Sequence, residues 1–336
     1  MNTEQSLQLQ TLLQTPQKVV IIPHRNPDGD AMGSTLALYH LLIKLGHNAV
    51  VMAPNEFPSN IAFLPGSESV QVFEKNKATT TKIMREATLL FTLDFNALHR
   101  TGEMEEVLKT LKAPFVMIDH HEAPSEYATI TFSDTSYGST CEMIYDTIVA
   151  LGKVELIDEA IATCLYTGIT TDSGSFRFPK TTPKTHRVVA NLIEKGVKNF
   201  EVHNELFDNN SYSSLQLLGR ALQNMKVLLE RKTAYITLSQ EELDAFHYHK
   251  GDTEGFVNYG LSIKGIIFAI IFIENKEENI IKISLRSQGN FDVNELAREH
   301  FNGGGHRNAA GGRSFASMEE TVLKFLKVIN EHPDLQ

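Results

Sequence analysis

The sequence has little cysteine, no excess of basic charge and no long apolar run, and each shortage removes a class of protein. Cys141 and Cys164 are the only cysteines among 336 residues and form no CxxC spacing, which points to a reduced, cytoplasmic setting rather than a disulfide framework. Lysine and arginine total 31 against 41 aspartates and glutamates, a net charge of −10. A protein that coats long DNA or RNA needs a broad basic face, so that class is excluded, although a small basic pocket is not. The most apolar run, Ile263 to Ile273, is about half the ~20 residues of a membrane-spanning helix and carries Lys264 and Gly265, so it reads as a buried strand. The amino-terminal residues MNTEQSLQLQTLLQTPQK are polar and lack the basic stretch and apolar core of a secretory leader.

What is present is the composition of an ordinary soluble globular protein, 42% hydrophobic and 21% charged. A chain of 336 residues exceeds what one hydrophobic core serves, and two domains are expected. The stretch that organises the rest is Ile22 to Ser34, IPHRNPDGDAMGS, which follows the β-branched run Val19 to Ile22. Pro23, Asn26-Pro27 and Gly29 break that run into a loop, and Gly33-Ser34 opens a helical pattern. The loop therefore lies at the carboxyl end of a strand, where open α/β sheets bind ligands. His24, Asp28 and Asp30 offer one nitrogen and two hard oxygen donors, and a pair of like charges this close is unfavourable unless a cation neutralises it. An Asn-Pro-Asp-Gly turn explains the same residues equally well when the stretch is taken alone.

The pattern then recurs. Leu36, Leu38, Leu41, Leu42 and Leu45 stripe a helix that Gly46 stops, and Asn48 to Ala53 reads as a second strand. The apolar run Ala87 to Phe95 contains Asp94 near its end, and Phe115 to Ile118 runs into Asp119-His120-His121. Three strands ending on metal-donor residues are harder to assign to turns than one. Thr3 to Gln14, Gly138 to Leu151, Leu156 to Thr171, Pro183 to Gly196 and Tyr212 to Val227 read as helices, with Asp172 in the loop after the third. Phe176 and Phe178 in that loop either pack or stack a base, and Ser139 either caps a helix or marks an anion-binding amino terminus. Strands follow at Ala234 to Leu238, Ile263 to Ile273 and Ile280 to Leu285, then a helix at Met318 to Ile329. Gly303-Gly304-Gly305-His306 reads as a flexible loop or as one whose free amides approach an anionic or planar ligand.

Taken together, HRNPDGDAMGS, LDFN with Asp94, IDHHEAP with Asp119-His120-His121 and GITTDSGSF with Asp172 resemble the four motifs of the DHH phosphoesterase family, in order and spacing. SLRSQG, Ser284 to Gly289, and FNGGGHRNAAGG, Phe301 to Gly312, resemble the associated DHHA1 domain. The resemblance covers nearly the whole chain, and in length and domain content it is nearest to the bacterial nanoRNase and pAp-phosphatase branch. It implies an α/β protein: a DHH domain over residues 1–190 with a parallel sheet and helices on both faces, a helical connector over 191–227, and a smaller α/β DHHA1 domain with a mixed sheet over 228–336.

The resemblance also implies a site. His24, Asp28 and Asp94 would hold one divalent ion, and Asp30, Asp94, His120 and Asp172 a second, with Asp94 bridging. Such a carboxylate-rich set suits manganese, with magnesium or cobalt as substitutes, better than zinc held by thiolates. Asp119 would orient a ligating histidine and His121 would contact the phosphate or protonate the leaving oxygen, although sequence leaves open which histidine ligates. Arg286, Gly303, Gly304, Gly305, His306 and Arg307 would bind substrate in a cleft between the domains. The implied activity is two-metal hydrolysis of very short RNA or DNA oligonucleotides and of 3′-phosphoadenosine 5′-phosphate (pAp), without long duplexes or a membrane as partners, with a homodimer left open. A linear or cyclic dinucleotide phosphodiesterase, a RecJ-like exonuclease, an inorganic pyrophosphatase and a non-catalytic nucleotide-binding module remain as alternatives.

Overall fold

A computed structural model describes residues 2–335, and by its contacts the chain divides into two units, the first ending at Asn209 and the second beginning at Asn210. The first unit carries six strands: β1 (Lys18–Ile22), β2 (Asn48–Ala53), β3 (Gln71–Val72), β4 (Leu89–Leu93), β5 (Phe115–Asp119) and β6 (Ile130–Ser133). They form one parallel sheet in the order β3-β2-β1-β4-β5-β6. Its helices are α1 (Thr3–Leu12), α2 (Gly29–Lys44), α3 (Lys77–Glu86), α4 (Glu105–Leu108), α5 (Thr140–Ala150), α6 (Glu159–Asp172), α7 (Pro183–Glu194) and α8 (Asn199–His203).

Alternation along the strands places apolar side chains on both faces, which a parallel sheet covered by helices requires. Val19, Ile21, Phe91 and Ile118 enter one core with Leu36, Leu41, Ile144 and Leu165 from α2, α5 and α6. Val20, Ile22, Leu90 and Phe115 enter the other with Met84 of α3 and Leu108 of α4. The strand order reverses between β1 and β4, and it is outside the carboxyl ends of the strands at such a switch point that open α/β sheets bind ligands.

The second unit has β7 (Lys226–Leu228), β8 (Thr233–Leu238), β9 (Phe268–Asn275), β10 (Ile280–Ser287), β11 (Gly304–His306) and β12 (Ala309–Ser314), in the order β11-β12-β10-β9-β8-β7. Only the β8–β9 pairing is parallel, so the sheet is mixed. Its helices are α9 (Tyr212–Asn224), α10 (Gln240–Ala245), α11 (Asn258–Leu261), α12 (Val293–His300) and α13 (Met318–Glu331). Phe268, Ile270 and Phe272 pack with α12 and α13 on one face, and Ala269 and Ile271 pack with Leu217 and Ala221 of α9 on the other.

Four elements differ from the expectation. Helix α2 begins at Gly29, not near Gly33, because Asp28 Oδ1 caps it by accepting from the amides of Asp30 (3.1 Å) and Ala31 (3.0 Å). Asp172 is the last residue of α6 rather than part of a loop. The strand expected from Ile263 starts at Phe268, since Gly265 is left-handed (φ 88°) and the Ile266 amide bonds back to the Ile263 carbonyl. The glycine run is not a flexible loop but half of the β11–β12 hairpin. Of the helices expected at Pro183 to Gly196 and Tyr212 to Val227, α7 lies in the first unit and α9 in the second. Among the described residues no helix is long and apolar enough to cross a membrane.

Candidate metal centre

The site is assembled by the ends of three neighbouring strands and two helices. His24 follows β1, Asp94 follows β4 in a left-handed conformation (φ 65°), and Asp119-His120-His121 ends and follows β5. A left-handed backbone at a non-glycine residue is strained, and such strain concentrates where a side chain must be aimed. Helix α2 brings Asp30 and α6 brings Asp172, and the two helices approach closely because small residues line their contact. A Cβ on Gly33 would stand 2.4 Å from the Cys164 carbonyl oxygen, and one on Gly168 would stand 2.7 Å from Asp30 Oδ1.

The donors converge. His24 Nε2 lies 3.8 Å from Asp28 Oδ2 and 3.5 Å from Asp94 Oδ2. His120 Nε2 lies 3.3 Å from Asp94 Oδ1, 3.3 Å from Asp172 Oδ2 and 3.9 Å from Asp30 Oδ2. Among the groups able to hold a metal ion in this unit are His24 with Asp28 and Asp94, Asp30 with His120 and Asp172, and Asp94 with Asp119 and His121; the first two are the expected pair. Both histidines turn Nδ1 to a backbone carbonyl, His24 to Arg25 at 2.9 Å and His120 to Tyr137 at 3.4 Å. That arrangement places the proton on Nδ1 and presents Nε2 as the donor atom, as in metal-ligating histidines.

Electrostatics favour a cation here. Asp30, Asp94 and His120 are 0%, 2% and 3% exposed, so charge on any of them needs a partner. Burial opposes charge on His24, but the hydrogen bonds and fields of Asp28 and Asp94 outweigh it and push its pKa from 6.5 up to about 10. Burial likewise opposes charge on His120, and Asp172 and Asp94 raise it well above the ordinary range. Burial would raise Asp94, yet bonds from His120 and His24 hold it well below the usual carboxylate range. Burial and the fields of Asp94 and Asp172 push Asp30 well up, and burial pushes Asp172 up to about 6 despite His120. The carboxylates thus compete for two protonated imidazoles, a conflict that divalent cations on the same oxygens would resolve. The donor set and its protonation pattern fit such ions.

Asp119 pairs differently from expectation. Its Oδ1 lies 2.7 Å from His121 Nδ1, so the histidine it orients is His121, because alternate residues of an extended segment share a side. Its Oδ2 is buried with no hydrogen-bond partner among the described residues. The amino terminus of α5 does not await an anion either: the Thr140 and Cys141 amides donate to Asp30 Oδ2 and Oδ1 at 2.6 and 2.9 Å, and Ser139 caps the helix through the Glu142 amide. Phe176 packs between Tyr166 and His186, whereas Phe178 is 46% exposed.

Sequence reading missed the supports. Asn55, buried after β2, accepts from the Asn26 amide at 2.7 Å and donates to Asn26 Oδ1 at 2.8 Å, which fixes the left-handed turn (φ 56°) between His24 and Asp28. Thr140 Oγ1 donates to Asp94 Oδ1 at 3.0 Å. Only the Gly138-Ser139-Thr140 helix start gave a signal for the second, and nothing in the sequence marks Asn55.

In the second unit, Arg286 is on β10 and His306 ends β11 opposite Ala309. Arg307 Nε stands 3.7 Å from Asp292 Oδ2. The glycine amides are less free than expected, since Gly303 N donates to the Ala297 carbonyl and Gly305 N to Asn294 Oδ1. Glycine is required there for another reason: a Cβ on Gly303 would stand 1.9 Å from the Gly311 carbonyl oxygen, and one on Gly305 would stand 2.5 Å from that of Ala309.

Comparison with known proteins agrees with this architecture. The model of the DHH family N-terminal domain matches residues 18–169, and that of the DHHA1 domain matches residues 232–332. A bifunctional oligoribonuclease and PAP phosphatase NrnA of Thermus thermophilus is 34% identical over 93% of this chain and 89% of its own length. The protein of the same name from Bacillus subtilis is 28% identical over 94% of this chain and 95% of its own. The crystal structure of an exopolyphosphatase-related protein from Bacteroides fragilis is 37% identical and superposes with a TM-score of 0.95 over 98% of this chain and 96% of that one.

Proposed function

The chain belongs to the DHH family and carries its DHHA1 domain, and from that premise we propose that it is a two-metal phosphoesterase acting on very short oligonucleotides and on pAp, which it converts to AMP. The observation that supports this most is Asp94, whose Oδ2 faces His24 and whose Oδ1 faces His120, so one carboxylate serves two donor groups. His24, Asp28 and Asp94 would hold one ion, and Asp30, Asp94, His120 and Asp172 the other. Divalent ions so held lower the pKa of water and neutralise phosphate charge. Manganese is the ion we assign, because four carboxylates and two imidazoles form a hard to borderline donor set.

The protein's own groups do the rest. Asp119 fixes the His121 ring by accepting from Nδ1–H, so that the imidazolium form would turn Nε2–H to the phosphate and pass that proton to the leaving oxygen, the Nδ1 proton staying on the Asp119 side. Arg286, His306 and Arg307 would contribute contacts to phosphate or base. Net charge −10 and so few cationic contacts suit a substrate with few phosphates. The names of the relatives point the same way: two are oligoribonuclease and PAP phosphatase, whereas exopolyphosphatase-related is a broader description.

Initial rates on pAp, a diribonucleotide, a pentamer, a 24-mer and polyphosphate, each at two salt concentrations, test the reading. Rates should fall beyond roughly two to five nucleotides, with a shallow salt slope on the order of one to three phosphate contacts. A 24-mer or polyphosphate cleaved faster than the dinucleotide and pAp would refute it.

A further inference from the structure

Resting on the two-ion reading, we propose that Tyr137 is a positioning residue: with Asp146 and Lys184 it fixes the turn at residues 137–141 that holds His120, Asp30 and Asp94 in register. Within five residues this turn touches three of the donor side chains. The Tyr137 carbonyl accepts from His120 Nδ1 at 3.4 Å, the Thr140 and Cys141 amides hold Asp30 at 2.6 and 2.9 Å, and the Thr140 hydroxyl holds Asp94 at 3.0 Å. Asp30 and His120 belong to the His120 group alone, and the Asp94 oxygen held by Thr140 is the one that faces His120; His24 and Asp28 receive none of these bonds.

The outer end of the turn is tied to three elements. The Tyr137 hydroxyl donates to Asp146 Oδ2 of α5 at 2.5 Å, and Lys184 Nζ of α7 donates to the same hydroxyl at 3.2 Å while pairing with Asp146. The Lys184 ammonium also sits 4.4 Å over the Tyr137 ring, and the ring meets Phe132 of β6 edge-on at 5.9 Å. Burial and Asp146 push the Tyr137 hydroxyl up to about 12, so it remains a donor at neutral pH. The Lys184 and Asp146 side chains are 43% and 23% exposed. An ion pair that open adds little to folding, so its use here is placement of the turn rather than stability. Outer partners of metal ligands act in this way, by aiming a donor that would otherwise rotate.

Manganese titration of the metal-free full-length protein by calorimetry, with electron paramagnetic resonance of the bound ions, tests this. Tyr137→Phe removes only the hydroxyl, and Lys184→Met removes the ammonium but keeps its stem. Each should weaken one of the two ions by about tenfold and leave the other within about twofold. Lys184→Arg should bind as the parent does. The double variant should be no weaker than Tyr137→Phe alone, since both act through one turn. Lowered melting of the metal-free variants with both affinities unchanged would mean a merely structural role and overturn the inference. A parent protein that binds fewer than two ions would overturn the site reading itself, and this inference with it. If Tyr137→Phe fails to fold, the Lys184→Met and Lys184→Arg pair gives the same discrimination.

Discussion

Asp94 turns Oδ1 toward His120 Nε2 at 3.3 Å, which leaves its other oxygen to face His24 at 3.5 Å. The left-handed backbone at Asp94 and the Thr140 hydroxyl on Oδ1 hold it in that pose. A carboxylate shared this way is the single point on which both donor groups depend. Asp94→Asn should therefore lower the affinity for both ions, and turnover should drop by more than the ~10–100-fold that loss of an outer partner brings. Metal content after dialysis, read beside pAp hydrolysis, checks it; two ions retained at parental affinity would remove Asp94 from the bridging role.

His120 lies among three carboxylates, while His121 rests on Asp119 with its Nδ1 3.8 Å from Asp94 Oδ1, and we assign the two different work. We expect His120→Ala to lose metal. His121→Ala should keep both ions and lose turnover, and Asp119→Asn should resemble His121→Ala more weakly. Metal analysis and steady-state kinetics on the three variants decide; metal loss in His121→Ala with retention in His120→Ala would exchange the roles.

The metal-free protein should be sensitive to alkali. His24 has a folded pKa raised from 6.5 to about 10, so the stability it contributes is fully present below 6.5 and is lost as pH rises through about 10. His120, also raised, acts in the same direction. Thermal unfolding with chelator should therefore show a melting temperature that declines between pH 6.5 and about 10. Manganese, which must displace those protons, should flatten the decline and bind more tightly as pH rises. A metal-free melting temperature that climbs over that interval would contradict the protonation pattern.

The second unit can be probed independently of the metals. Arg286→Ala and His306→Ala should raise KM for pAp with unchanged metal content, because uniform binding is lost without a ligand. Gly303→Ala should do more, since its Cβ would drive into the Gly311 carbonyl and part the β11–β12 hairpin. Limited proteolysis should then cut the second unit while calorimetry still finds both ions. Parental KM in all three variants would take these residues out of substrate recognition.

Much of this was legible because donors at strand ends leave a local mark, apolar runs stopping at His24, Asp94 and Asp119, whereas the parallel and mixed sheets followed from the family resemblance. The departures arise from through-space partners. Asp28 capping α2, Asn55 clasping Asn26, and Thr140 and Cys141 reaching Asp30 join positions 29 to 111 residues apart or depend on a cap that a turn sequence imitates. The glycine run illustrates the same limit, since a close-packed hairpin and a ligand cradle both demand glycine and only backbone approach distinguishes them.

Anomalous diffraction from manganese-soaked crystals of the full-length protein tests the two-ion site most directly. Two peaks should appear on either side of Asp94, one among His24, Asp28 and Asp94, the other among Asp30, Asp94, His120 and Asp172. Their separation should be ~3.5–4 Å, as in two-metal hydrolytic sites. A single peak, or a pair in which Asp94 touches only one ion, would contradict the bridging carboxylate and the mechanism built on it.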